Sequence, residues 1–301
     1  MKKAIVLTLA LIMAVSAIVL ADAGNTLRAG VGARALAMGG AFVSVADDLT
    51  ASYWNPAGIS RVQDTRIGGM STNLGGIGGI THQYAAGITD ISGFGVGLSY
   101  DRYSLKYEAK DTTTTSTYAV FIGSVSANIG EMGSVGANAK YVTFPAGKSG
   151  FGLDLGAIFD FSDIFTLGVV AFDLLGTQIG EGEALAARYA AGLSMKLADD
   201  KLILATDVDF AGFKLGDAHV GVEFKVIDEL ALRGGLVMTD NFQDYYFTVG
   251  AGVNVAGLYV DAAYVINEPV GNTLVLSAEF SLGGLLGGGE EEPAPAPVGE
   301  E

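Results

Sequence analysis

The side chains able to carry chemistry are few. His82 and His219 are the only histidines, and the chain has no cysteine. Disulfides, zinc ribbons and thiol catalysis are thereby excluded. A metal site would have to lean on carboxylates, and no ligand spacing stands out among them. Neither G-x-S-x-G nor H-E-x-x-H occurs. His82 alternates onto the apolar face of its segment beside Tyr84, where no serine or acid partner is identifiable, so it reads as an interfacial histidine rather than a hydrolase base. Gly30-Val31-Gly32-Ala33-Arg34-Ala35 matches G-x-G-x-x-A. A dinucleotide site would need a strand before it and a βαβ unit around it, whereas an export-signal junction precedes this one. The expectation is a protein that is not an enzyme and holds neither cofactor nor metal.

The elements that could position anything are set by composition. Half of the 301 residues are hydrophobic, 44 are glycine and only 17% are charged, where soluble domains carry about a quarter. The formal net charge of −16 argues against a nucleic-acid partner, which needs a basic footprint. Beyond the first twenty-odd residues no run of about 18 apolar residues exists, so helical membrane spanning is excluded there. Met1-Lys2-Lys3, an apolar stretch to Ala21 and Ala21-Asp22-Ala23 have the three parts of a secretory signal peptide, expected to span residues 1–23.

From Thr65 onward the hydrophobic period is two, the period of a strand. In 273–282, Leu274, Leu276, Ala278, Phe280 and Leu282 oppose Thr273, Val275, Ser277, Glu279 and Ser281. Segments 188–197, 219–226 and 258–266 alternate in the same way. Fourteen such segments are expected: 65–73, 80–89, 93–102, 115–128, 133–144, 150–160, 164–174, 186–197, 201–210, 216–226, 230–239, 244–255, 257–266 and 272–282. Short turns follow the even-numbered segments. Longer links, including 103–114 and 175–185, follow the odd ones. Segments of about 9–12 residues cross a bilayer at a tilt, and lipid tolerates no unpaired backbone edge, so the sheet must close. The fold class expected is therefore all-β, a 14-stranded antiparallel transmembrane β-barrel over residues 65–282, with a small N-terminal helical plug. Aromatics near the segment ends form two girdles: Tyr100, Phe144, Tyr189, Phe210 and Tyr245 by the long links, Phe159, Phe161, Phe165 and Phe280 by the short turns.

The alternating polar face then turns inward. Its charges are Asp101, Lys140, Asp154, Asp160, Arg188, Lys196, Lys201, Asp207, Asp209, Glu223, Lys225, Arg233, Asp261 and Glu279. Mixed signs fit cross-strand pairing that stiffens a barrel; the other reading is a polar or ion-selective path. An even strand number puts both barrel ends on the short-turn side, which in an exported chain is periplasmic. Residues 283–301, with five glutamates and three prolines, read as a disordered acidic tail.

Residues 29–60 read AGVGARALAMGGAFVSVADDLTASYWNPAGIS. Ala33–Met38 is expected as a short helix broken by Gly39-Gly40, and Asn55-Pro56 marks a turn or helix start. This stretch resembles the N-terminal region of the FadL superfamily of outer-membrane proteins, and within it the PorV/PorQ-like branch. The likeness rests on Gly32-Ala33-Arg34, Met38-Gly39-Gly40-Ala41-Phe42, Ala46-Asp47-Asp48 and Trp54-Asn55-Pro56-Ala57-Gly58, about 35 residues in all; the remainder shares only the plan of fourteen strands. The resemblance implies that residues 24–64 form a plug within the lumen. Asn55, Pro56 and Ala57 would form its turn, and Gly32, Arg34, Asp47, Asp48 and Trp54 would belong to it. The chain departs from the family in its last strand, where Phe280 is followed by 21 further residues.

The resemblance also implies a role: passive passage of hydrophobic small molecules across a bacterial outer membrane, with a ligand leaving through a gap in the wall. The partners implied are outer-membrane lipid and a hydrophobic small molecule. Two alternatives stand beside it, an accessory barrel with a secretion-system protein partner in export or surface display, and a structural porin.

Overall fold

The computed structural model describes residues 29–62, 64–74, 79–109, 112–180, 183–212, 214–239, 242–267 and 271–283. The expected signal peptide and the tail beyond residue 283 lie outside them. Sixteen strands follow one another: β1 (Arg66–Asn73), β2 (Ile80–Ile91), β3 (Phe94–Ala109), β4 (Thr112–Asn128), β5 (Gly133–Thr143), β6 (Ser149–Asp160), β7 (Phe165–Phe172), β8 (Thr177–Gly180), β9 (Glu183–Leu185), β10 (Arg188–Leu197), β11 (Leu202–Ala211), β12 (Lys214–Ile227), β13 (Leu230–Thr239), β14 (Asp244–Val255), β15 (Leu258–Ile266) and β16 (Thr273–Ser281). All but β8 and β9 pair in chain order into one closed barrel of fourteen antiparallel strands. β1 and β16 complete it, from Arg66 opposite Ser281 to Thr72 opposite Val275.

Local chemistry sets the short turns. Ile91 pairs with Phe94 and Val255 with Leu258, so each of these hairpins has a two-residue loop. Such loops match the strand twist when both residues have positive φ. Ser92-Gly93 has φ of 56° and 85°, and Ala256-Gly257 has 50° and 80°. The long links differ from expectation. Most of the expected loop 103–114 is strand, because β3 and β4 stay in register out to Ala109 opposite Thr112. The link at 175–185 contains a small hairpin of its own, β8 with β9.

The outer surface is apolar. Leu98, Phe121, Phe151, Leu232, Phe247 and Leu276 are exposed, the outward set of a wall that meets lipid. Tyr100, Phe121, Tyr141 and Phe151 stand opposite one another across β3 to β6. Their ring centroids are 4.8, 6.4 and 5.0 Å apart in turn. One step further toward the long links this outer face turns to Arg102, Thr143 and Ser149. Tyr100 is mid-strand because β3 continues past this row. From Phe151 along β6 to Phe161 is about ten residues, which at a normal rise and tilt spans about 25 Å, the height of a membrane barrel's apolar band.

Residues 29–62 fill the middle of the lumen with α1 (Ala33–Ala37), α2 (Ala51–Trp54) and a 3-10 turn over Pro56–Arg61. Gly39 and Gly40, with φ of 67° and 79°, end the first helix. Met38, Phe42, Ala46, Leu49 and Ile59 are fully or almost fully buried and form one core with the inward Ile88, Ile158 and Ile203 of the wall. Such close approach needs strand positions without side chains. A Cβ at Gly156 would stand 2.1 Å from Asn55 Oδ1, one at Gly136 2.4 Å from the Pro56 carbonyl carbon, and one at Gly221 2.5 Å from the Met38 carbonyl oxygen.

Candidate functional site

The interior is built around Arg34, which α1 holds against β12. Its Nε and Nη2 meet Glu223 Oε2 and Oε1 at 2.8 and 3.0 Å, and its Nη1 meets Asp47 at 2.5 Å and Asp48 at 3.4 Å. Glu223 is also held by Arg233, directly opposite on β13, at 2.6 Å. Arg233 in turn reaches Asp261 at 2.6 Å. That contact passes over β14 at Gly252, where a Cβ would stand 1.9 Å from Asp261. Five charged groups besides Asp47 thus form one continuous chain from the segment into the wall. Buried charges are tolerated only when paired and hydrogen-bonded, so the network fixes the segment in one position.

Backbone groups of the segment are capped by wall side chains. Asp207 Oδ2 accepts from the amides of Phe42 at 2.6 Å and Val43 at 2.8 Å. His219 Nδ1 donates to the Gly39 carbonyl at 2.7 Å, and Thr248 Oγ1 to the Ala37 carbonyl at 2.8 Å. Asn138 Nδ2 donates to the Ser52 carbonyl at 2.8 Å. Glu279 accepts from the Leu49 amide at 3.1 Å and pairs with Arg66 at 2.6 Å. These bonds satisfy groups that the segment's own helices and turns leave unpaired.

Asn55 is the turning point of the segment. Its side chain donates to the carbonyls of Val43 at 2.9 Å and Ala157 at 3.2 Å, and accepts from the Ala57 amide at 3.1 Å. That last bond makes it an N-cap, with Pro56 as the first residue of the 3-10 turn. Arg61 closes the turn against Asp160 with two contacts of 2.9 Å. Trp54 Nε1 donates to the Val31 carbonyl at 3.0 Å, and its ring meets Phe42 and Tyr53 edge to face.

Two cavities lie on either side of this layer. One of about 780 Å³ reaches the long-link rim at Lys214, Asn267 and Gly271, and is lined within by Leu36, Trp54, His82, Phe172 and Arg188. The other, about 420 Å³, lies toward the short turns among Asp47, Arg61, Glu131, Asp160 and Lys196. The larger mixes aromatic walls with a few polar groups, the composition of a small-molecule site.

The structure brings most of the expected charges together in pairs. Lys140 meets Asp154 at 2.7 Å and Asp173 at 2.8 Å. Arg188 pairs with Asp209 and lies 4.1 Å over the Phe172 ring. Lys196 lines the smaller cavity, and Lys225 is half-buried on β12. Gly32 has φ 82°, and a Cβ there would stand 2.5 Å from Thr50 Cγ2. Lys201 departs from expectation: it is exposed in the β10–β11 turn, because β11 begins one residue later. His82 departs too. It is 1% exposed on the inner face, with Nε2 2.6 Å from Asp101 Oδ1 and its ring stacked on Tyr103 at 3.9 Å. The inner face of β2 is apolar at Tyr84 and Ile88, which pack against the segment, so alternation alone does not put His82 inside. Arg61, Arg66 and Asp173 were not among the expected charges: Arg61 and Arg66 pair with Asp160 and Glu279, distant in the chain, and Asp173 lies just past the end of β7.

The class defined is a closed barrel of fourteen antiparallel strands with its own N-terminal segment lodged across the lumen. Solved structures of a channel, a transporter and a FadL homologue share this fold. The CymD monoaromatic hydrocarbon channel superposes with a TM-score of 0.69 at 13% identity, over 86% of this chain and 99% of the other. The toluene transporter TbuX of Ralstonia pickettii gives 0.67 at 12% identity, over 84% and 98%. A FadL homologue of Pseudomonas aeruginosa gives 0.59 at 14% identity, over 83% and 98%. No family model and no curated protein matches the sequence.

Proposed function

We infer that this protein is a passive outer-membrane channel for hydrophobic small molecules. The observation that carries the reading is the cavity of about 780 Å³ between the long-link rim and a segment that fills the lumen below it. A ligand entering from outside meets Trp54 and Phe172, then a packed layer rather than an open pore. It therefore leaves sideways, through the wall. The fold is shared with two proteins described as a monoaromatic hydrocarbon channel and a toluene transporter, which favours the same substrate class here. In this reading residues 1–23 are a cleaved export signal, 24–64 the plug, 283–301 a periplasmic tail, and both termini face the periplasm. The Trp54-Asn55-Pro56-Ala57-Gly58 motif supports kinship with the PorV/PorQ-like branch.

The test combines outer-membrane fractionation, a heat-shift on a denaturing gel, and uptake of a labelled monoaromatic hydrocarbon by cells with and without the protein. Expected are a heat-modifiable band in the outer membrane and uptake that falls on deletion. Unchanged uptake, with no apolar ligand bound by the purified protein, overturns the reading.

A second reading, an accessory barrel in protein export, is favoured by the β3–β4 hairpin. Its strands run 16 and 17 residues and continue past the aromatic row that bounds the apolar band. A stoichiometric secretion partner in pull-downs from outer membranes would support it.

A further inference from the structure

Arg102 is set apart from the other arginines. Arg34, Arg61, Arg66, Arg188 and Arg233 each meet a carboxylate. Arg102 is the remaining arginine of the described residues, and among them its guanidinium makes no ion pair and no hydrogen bond. It does not point into the lumen. Its neighbours Asp101 and Tyr103 are buried on the inner face, so Arg102 stands on the outer face, between Gln83 on β2 and Ala119 on β4. A cation placed there without a carboxylate has only what lies outside the protein to pair with.

Two residues back along β3 is Tyr100, and with it a trough of about 580 Å³ in the outer wall, flanked by Leu98, Tyr100, Phe121, Tyr141 and Phe151. Its floor is Gly123, opposite Ala139 on β5. A Cβ at Gly123 would have no atom nearer than 3.9 Å. Tyrosine is a side chain of the membrane interface, with its ring toward acyl chains and its hydroxyl toward headgroups. The row thus marks the depth at which headgroups begin, and Arg102 lies one step beyond it. A second outer trough, about 390 Å³ among Leu193, Leu204, Val222 and Gly234, is lined by neither a tyrosine nor a charged group.

We propose that the outer face of β2–β5 binds one anionic, phosphate-bearing lipid of the surrounding bilayer, with its phosphate on the Arg102 guanidinium and an acyl chain in the trough over Gly123. A guanidinium matches a phosphate through two parallel hydrogen bonds, and the trough gives the chain an apolar bed on the same strand. A second copy of the protein is the rival occupant. Docked by the same face about a two-fold axis, it would bring its own Arg102 toward this one, so the charge favours the lipid. The inference goes beyond the channel reading: it needs only that this wall face lipid, and it holds whatever passes through the lumen.

The test is native mass spectrometry of the full-length protein in detergent, given equal amounts of phosphatidylglycerol and phosphatidylcholine with the same acyl chains. Both carry a phosphate, but in the second a quaternary amine offsets its charge. Expected is one retained lipid, with phosphatidylglycerol favoured about fivefold, the scale of one basic residue at an anionic lipid surface. Arg102→Gln should bring that ratio near one. Gly123→Leu, which fills the trough, should remove the retained lipid of either kind, whereas Gly234→Leu in the second trough should change nothing. Each variant is checked for closure by its heat-shift. Millimolar inorganic phosphate should not displace the lipid, since it leaves the trough empty. Equal retention of the two lipids by the wild type overturns the proposal, as does a preference that survives Arg102→Gln or displacement by inorganic phosphate. So does a dimer that Gly123→Leu converts to a monomer with lipid retention unchanged, which would make the trough an interface between copies. None of these outcomes touches the channel reading, which falls on uptake and ligand binding instead.

Discussion

Arg34 and Glu223, 189 residues apart in the chain, meet through two parallel contacts of 2.8 and 3.0 Å. This geometry joins the N-terminal segment to the barrel wall more directionally than a point charge would. Arg34→Met keeps the length and removes the charge. Glu223 retains Arg233, but Asp47 and Asp48 lose their shared partner. Breaking a buried pair on one side costs about 3–5 kcal/mol. The barrel should still close, with a normal heat-shift, while the segment loosens. Planar-bilayer recordings should show a higher leak conductance than wild type. An unchanged leak would mean that the segment is held by packing alone.

The wall glycines offer a separate route to the same displacement. Gly136 and Gly156 face Pro56 and Asn55 so closely that any side chain must displace the turn. Gly136→Val should raise leak conductance without altering the outer surface. Gly123→Ala is the control, since the nearest atom to its new Cβ would be 3.9 Å away. If both variants conduct alike, close approach of segment and wall is not what seals the lumen.

Asn55 and Pro56 are adjacent but unequal. Asn55→Ala strands two carbonyls and one amide in a site with no exposure. It should cost about 3 kcal/mol. Pro56→Ala only frees φ at the first position of the turn and should cost about 1 kcal/mol or less. Trp54 is the sole tryptophan and lies in the segment, so its fluorescence follows the segment while gel mobility follows the barrel. In a denaturant series the Trp54 transition should fall well below that of wild type in Asn55→Ala and only slightly in Pro56→Ala. The reverse order would remove Asn55 from the role assigned to it.

Strand number and facing were legible because period two is a local signal that lipid outside and polar groups inside both enforce. β12 and β16 follow it along almost their whole length. The signal fails where one of the two environments changes. Tyr84 and Ile88 face inward on an apolar surface because the lumen there holds Leu49 and Ile59 rather than water. The sequence of Thr112–Thr117 carries no alternation, and β4 there runs past the aromatic row. The segment's own helices were readable from its glycines and Asn-Pro. Its wall partners, Glu223, Asp207 and Thr248, were not, since nothing local in the chain records a contact across more than 150 residues.

The outer surface makes the remaining prediction. Val222 is half-exposed near the middle of β12, between Leu204 on β11 and Gly234 on β13. Its neighbour Glu223 points inward to Arg34. An arginine at the midplane of a barrel's lipid face costs about 2–4 kcal/mol, and near an interface about 0–1. Val222→Arg should therefore lower the yield of heat-modifiable, membrane-inserted protein. Val255→Arg, at the short-turn rim beside Ala256, should leave it nearly unchanged. In detergent, where the apolar belt adapts around a charge, the two variants should differ less. Equal yields in membranes would mean that Val222 does not face acyl chains, and the orientation of every strand would have to be reversed.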